Sequence, residues 1–134
     1  MARTLALKLE QLKAALKSLA EALSLGGNDF TIVRDSAIKR FEYCFELSWK
    51  ASKEFLRDRL GVDVFSPKEC WRELKRNQII DEAQTEKLLQ MTDDRNNIVH
   101  TYNEQLADIL YQKIKQEYYQ TLKNVYQNIK EQIS

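Results

Sequence analysis

Apolar residues recur at helical spacing from the start of the chain. Leu5, Leu9, Leu12, Leu16, Leu19 and Leu23 follow one another at intervals of 4, 3, 4, 3 and 4. This draws one stripe ~27 Å long at ~1.5 Å rise per residue. Lys8, Lys13, Lys17 and Glu21 fall off it. Gly26-Gly27-Asn28-Asp29 predicts the end of this first helix, because glycine admits the left-handed cap. A second helix is predicted from about Thr31 to Leu60, with Ile38, Phe41, Phe45, Trp49 and Leu56 on its apolar line. Ser52 supplies a small residue for close packing, and Gly61 should end the helix. A short helix then starts at Ser66-Pro67, with Ser66 as N-cap, Pro67 at the first helical position and Glu69 at the capping-box position. Asp81 suits the cap of a fourth helix, Glu82 to about Val99, whose Leu88, Leu89, Met91 and Thr92 face inward. Asn103 suits the cap of a last helix carrying Leu106, Leu110, Ile114, Leu122, Val125, Ile129 and Ile133, with tyrosines along its flanks.

Composition narrows this to an all-α, antiparallel bundle of four to five helices. Only 3 Gly and 1 Pro leave little material for the turns of a β-sandwich. With 134 residues the chain suits a single domain, 1–134, able to bury roughly two-thirds of its unfolded surface without metal or disulfide support. Cys44 and Cys70 stand 26 residues apart with no C-x-x-C, so each is expected to act as a small hydrophobe within a helix. Lys8, Glu10, Lys13 and Lys17 interrupt the N-terminal segment, so it has no secretory h-region, and no stretch approaches ~18 apolar residues. A cytoplasmic protein with no membrane partner is expected.

Charge adds two limits. The single His excludes a histidine-rich metal site within one chain, and no metal or other cofactor is expected. The net charge of +1 means that nucleic-acid affinity must come from local patches. Arg34 to Arg76 holds 11 basic and 8 acidic residues, whereas Asp81 to Asp94 holds 1 basic and 5 acidic. The chain can thus show a weakly basic surface and an acidic one, or simply solvated helix faces.

The candidate chemistry lies in Asp93-Asp94-Arg95-Asn96-Asn97-Ile98-Val99-His100-Thr101-Tyr102. Arginine is a permanent, phosphate-matching charge, and histidine moves protons near neutral pH. Together they form a minimal kit for cleaving a phosphodiester: Arg95 stabilises developing charge and His100 transfers a proton. Five helical residues turn ~500°, so the two side chains would point ~140° apart on a straight helix. They could share a phosphate if the helix ended between them or if a twofold dimer brought two copies of the segment to one cleft. The structural alternative pairs Arg95 with Asp93, Asp94 or Glu46 and uses His100 and Tyr102 to cap the helix end. Trp49 and Trp71 are expected in the core, and Glu46 with Lys50 as an intrahelical pair.

Arg95-x4-His100-x-Tyr102 resembles the R-x4-H-x-Y signature of HEPN-domain toxins that are paired with a minimal nucleotidyltransferase antitoxin. Arg40-Phe41-Glu42-Tyr43, Phe45-Glu46-Leu47-Ser48-Trp49-Lys50 and Ser66-Pro67-Lys68-Glu69 resemble the family long known as nucleotidyltransferase substrate-binding proteins. The resemblance spans roughly residues 30 to 115. It implies an HEPN-like homodimer with both motifs lining a shared cleft. It implies metal-independent RNA cleavage, tRNA being one candidate substrate, with the ribose 2′-hydroxyl as nucleophile. Arg95 and His100 would inherit the catalytic roles, with Asn96 helping to hold them. A cognate minimal nucleotidyltransferase antitoxin would transfer AMP to Tyr102, adding bulk and negative charge beside the cleft. The older family name implies the alternative, a non-catalytic substrate-binding subunit of a two-component nucleotidyltransferase.

Overall fold

Six leucines along the N-terminal helix need a partner surface, and the second helix supplies it. In the computed structural model, which describes residues 2–25 and 29–134, α1 (Ala2–Ser24) places Leu5, Leu9, Leu12, Leu16 and Leu19 in the core, none more than 5% exposed. Burying each such side chain contributes roughly 1.5–3 kcal/mol before chain entropy is set against it. The helix packs chiefly along α2 (Phe30–Leu60) and also against α6 (Tyr119–Ile133). Arg40 of α2 adds a polar tie, donating from Nη1 to the Ser18 carbonyl at 2.7 Å. The expected stop at Gly26–Asn28 lies outside the described residues. Asp29 opens α2, its carboxylate accepting the Ile32 N–H at 3.3 Å.

Each later boundary has a local cause. Gly61 ends α2 at φ +66, and its N–H bonds the Arg57 carbonyl; this left-handed conformation is costly for other residues. α3 (Pro67–Arg76) starts at Ser66, whose Oγ accepts the Glu69 N–H at 3.3 Å. The Glu69 carboxylate accepts from Phe65 N–H at 3.4 Å, one residue before the N-cap that a capping box would use. The reciprocal box forms at α4 (Glu82–His100) instead, between Asp81 and Gln84, at 2.8 and 2.9 Å. α5 (Glu104–Lys113) starts at Asn103, whose Oδ1 accepts the Leu106 N–H at 2.8 Å.

The interior joins these helices at two aromatic side chains. Trp71 is fully buried, lies edge-on to Phe45 at 6.0 Å and donates Nε1–H to Thr92 Oγ1 at 2.9 Å. It therefore locks α2, α3 and α4 together. Trp49, expected in the core, is only half-buried, and the Lys53 ammonium lies 5.6 Å from its ring centre. Two successive four-residue steps from Phe41 rotate ~80° off the apolar line, and Ser48 and Ser52 occupy the buried positions in its place.

The last helix is not uniform. α5 passes through a π-helical turn, Ile114–Tyr118, before continuing as α6, and the Tyr119 N–H bonds the Ile114 carbonyl five residues back. Such wide turns are rare and insert one extra residue. Here the turn seats Tyr118 in the core, stacked on Phe41 at 5.9 Å. The Tyr118 hydroxyl donates to Asp94 Oδ2 at 2.5 Å, and Lys113 Nζ reaches the same oxygen at 3.1 Å. Burial, then the bond to Asp94, holds the Tyr118 phenol well above its ordinary range. The described residues thus form an all-α bundle without strands, and none of its helices is long and apolar enough to cross a membrane.

Cys44 and Cys70 are both buried and unpaired. Burial pushes each thiol from 9.0 up to about 12. Above about pH 9 the unfolded chain releases these protons while the folded chain keeps them, so stability should fall as pH rises from there towards 12. Tyr118 acts in the same direction above its ordinary value of 10.0. Urea unfolding under reducing conditions should show a midpoint that is level up to about pH 8.5 and declines beyond it. A flat midpoint through about pH 11 would contradict this burial.

Candidate functional site

Helix α4 carries the motif without a break from Arg95 to His100. Thr101 follows as the C-cap, its N–H bonding the Asn97 carbonyl at 2.8 Å. The helix therefore does not end between the two residues, and within one chain they project ~140° apart. Arg95 turns inward. Its side chain is 23% exposed, its guanidinium carbon lies 4.7 Å from the Phe45 ring centre, and Nη2 is 3.6 Å from Glu46 Oε2. Glu46 also holds Lys50 at 3.2 Å, the expected intrahelical pair. Arg95 Nε is buried with no hydrogen-bond partner among the described residues. Of the three acidic partners considered for Arg95, Glu46 is the one found; Asp93 takes Lys68 at 2.6 Å and Asp94 takes Lys113 and Tyr118.

His100 is exposed at the last position of α4, and Asn96 is exposed beside Arg95. Neither side chain makes a hydrogen bond to another of the described residues. A single chain thus brings Arg95 to Phe45 and Glu46, and does not bring it to His100.

Tyr102 meets a group of side chains that the motif does not contain. Its hydroxyl donates to Asp35 Oδ1 at 2.9 Å and accepts from Arg34 Nη2 at 3.0 Å. Arg34 is 2% exposed, on the first turns of α2. Its Nε lies 2.9 Å from Asp35 Oδ1, and its Nη1 reaches Glu104 at 2.7 Å and Asp108 at 2.8 Å. Glu104 and then Asp108 hold the guanidinium further above its already high range, against the opposing effect of burial. The bond to Asp35, with burial, raises the Tyr102 phenol above its ordinary value. Arg34 carried one legible signal. It shares a helical face with Ala37, Ile38, Phe41 and Phe45, all buried, and a permanent charge on such a face needs acidic partners.

The two arginines therefore differ in kind. Arg34 spends its donors on three carboxylates and a phenol and acts as a brace. Arg95 is held by one long ion pair and an aromatic face, and retains donors for an anion. Among the described residues no group of three or more His, Cys, Asp or Glu side chains is placed to hold a metal ion.

Residues 7–131 match the family described as nucleotidyltransferase substrate binding protein like, and the chain belongs to that family. It is similar to a Thermus thermophilus protein of known structure, at 34% identity and a TM-score of 0.81, over 88% of this chain and 98% of that one. The tri-AMPylated HEPN toxin of Shewanella oneidensis, solved in complex with its MNT antitoxin, shares the fold at 22% identity and a TM-score of 0.77, over 95% and 96% of the two chains. So does a Haemophilus influenzae protein whose structure revealed the fold of a nucleotidyltransferase substrate-binding domain, at 23% identity and a TM-score of 0.74, over 91% and 98%. No curated protein matches the chain.

The brace is testable without any activity. Arg34→Lys keeps the charge but cannot span four acceptors with one ammonium. It should lower unfolding stability by about 2 kcal/mol, and Tyr102→Phe by about 1 kcal/mol, both read by urea titration. Wild-type stability in Arg34→Lys would show that the fork geometry carries no energy.

Proposed function

We propose that the protein is an HEPN-type ribonuclease toxin of a toxin–antitoxin pair, working as a homodimer. RNA, with tRNA as one candidate, would lie in a cleft between two copies of the motif. The carrying observation is the unbroken helix α4, which separates an anion-ready Arg95 from an exposed His100 within each chain. A second chain can supply the missing neighbour to each. In that cleft Arg95 would stabilise charge on the phosphorane, and His100 would move the proton of the attacking 2′-hydroxyl or of the leaving oxygen. Asn96, exposed one residue after Arg95, is the proposed support for this pair. The chemistry asks for no group beyond these side chains.

Neutralisation would come from a cognate minimal nucleotidyltransferase that transfers AMP to Tyr102. The half-exposed phenol, two residues beyond His100, supports this reading. AMP there would place a phosphodiester beside Asp35, Glu104 and Asp108, whose cationic partner Arg34 is already shared. The second reading is a non-catalytic subunit that binds the nucleotidyltransferase. The family description favours it, as does the Glu46 contact that restrains Arg95.

The two readings separate in one assay. Protein shown by mass spectrometry to be unmodified at Tyr102 is incubated with total RNA and with tRNA. The toxin reading expects cleavage that falls by at least ~100-fold in His100→Ala and in Arg95→Ala. Intact RNA with wild type and variants alike would leave the binding-subunit reading.

A further inference from the structure

We propose that Asp35 and Arg34 are the residues that prepare Tyr102 for AMP transfer, Asp35 as the acceptor of the phenolic proton and Arg34 as the clamp on the phenolic oxygen. The inference rests on the reading of Tyr102 as the AMP acceptor. It adds to that reading a second part of the reacting site, located on α2, 67 positions away in sequence.

The geometry is specific. A phenol attacks phosphorus through an oxygen lone pair, and its proton must leave as the new bond forms. Here the proton already points at a carboxylate, with Oη 2.9 Å from Asp35 Oδ1. One lone pair of the same oxygen is held by Arg34 Nη2 at 3.0 Å, which fixes the ring and favours the developing phenolate. The second lone pair is uncommitted, and the residue is 51% exposed, so a partner enzyme can reach it. The acceptor is itself held in place. Asp35 bonds Arg34 Nε, and Arg34 is fixed by Glu104 and Asp108 on α5. A carboxylate that accepts the proton of an attacking hydroxyl is an established solution in phosphoryl transfer.

The step balances. Tyr102 Oη forms a bond to the α-phosphorus of a nucleoside triphosphate, ATP, presented by the partner nucleotidyltransferase. The bond from that phosphorus to the oxygen bridging the β-phosphate breaks, and pyrophosphate leaves. The phenolic proton passes to Asp35 and from there to solvent. No electron transfer is involved.

The test uses the full chain, its cognate nucleotidyltransferase and α-labelled ATP, with AMP incorporation followed over time. Asp35→Asn keeps an accepting oxygen but cannot take a proton, so transfer at saturating ATP should slow at least tenfold. Its rate should then rise with pH, as solvent hydroxide replaces the carboxylate, while the wild-type profile stays flat over the same range. Asp35→Glu should recover part of the rate. Binding of the partner, measured by calorimetry, should be unchanged in Asp35→Asn, and its melting temperature shows that it folds. Wild-type rate and pH profile in Asp35→Asn would overturn the proposal while leaving Tyr102 as the acceptor. Incorporation that persists in Tyr102→Phe, or is absent from wild type, would overturn the Tyr102 reading itself and the proposal with it.

Discussion

A guanidinium that is 2% exposed organises the end of this bundle that carries the motif. Removing such a charge from water costs several kcal/mol unless hydrogen bonds and opposite charges replace the solvent. Arg34 meets that requirement with Asp35 from its own helix, Glu104 and Asp108 from α5, and Tyr102 from the connection between α4 and α5. Tyr102 and Glu104 flank Asn103, the cap of α5, on either side. Tyr102, two residues beyond the end of α4, is therefore tethered to a charge on a different helix. Substitutions at Arg34 should propagate to the motif although Arg34 lies outside it.

The second constraint is the regularity of α4. The reciprocal Asp81–Gln84 box starts it, and Trp71–Thr92 and Tyr118–Asp94 hold it against its neighbours. So anchored, the helix runs through to His100, and the five-residue offset between Arg95 and His100 becomes a fixed divergence. A motif that looks compact in one dimension is split in three. The near-neutral net charge of +1 fits this picture, since bulk charge supplies no general attraction for a polyanion. In the proposed dimer, affinity for RNA would arise where local cationic patches of the two chains converge.

Much of the fold was legible in the order of residues, for identifiable reasons. The leucine stripe, Gly61, Ser66-Pro67, Asp81 and Asn103 act through local geometry, and the structure uses each in the expected role. What was not legible depends on distant partners. The π turn at Ile114–Tyr118 answers to Phe41 and Asp94, which lie far away in sequence. Trp49 sits at the edge of the core because small serines take the buried positions of its helix. Tyr102 stood out as part of the motif, whereas its partners Arg34 and Asp35 are 68 and 67 positions away. A spacing argument sees a helix face, and it does not see which acid from another helix will meet it.

The proposed dimer joins Arg95 of one chain to His100 of a second. Subunit mixing tests it directly. Arg95→Ala and His100→Ala proteins, each inactive alone, are combined by co-refolding so that mixed dimers form, and cleavage of labelled RNA is measured. A mixed dimer keeps one Arg95 and one His100 on different chains, so one of its two sites is whole. The account predicts that activity returns, to about a quarter of wild type if the subunits pair at random. Mixed dimers that form but stay as inactive as either parent would contradict it.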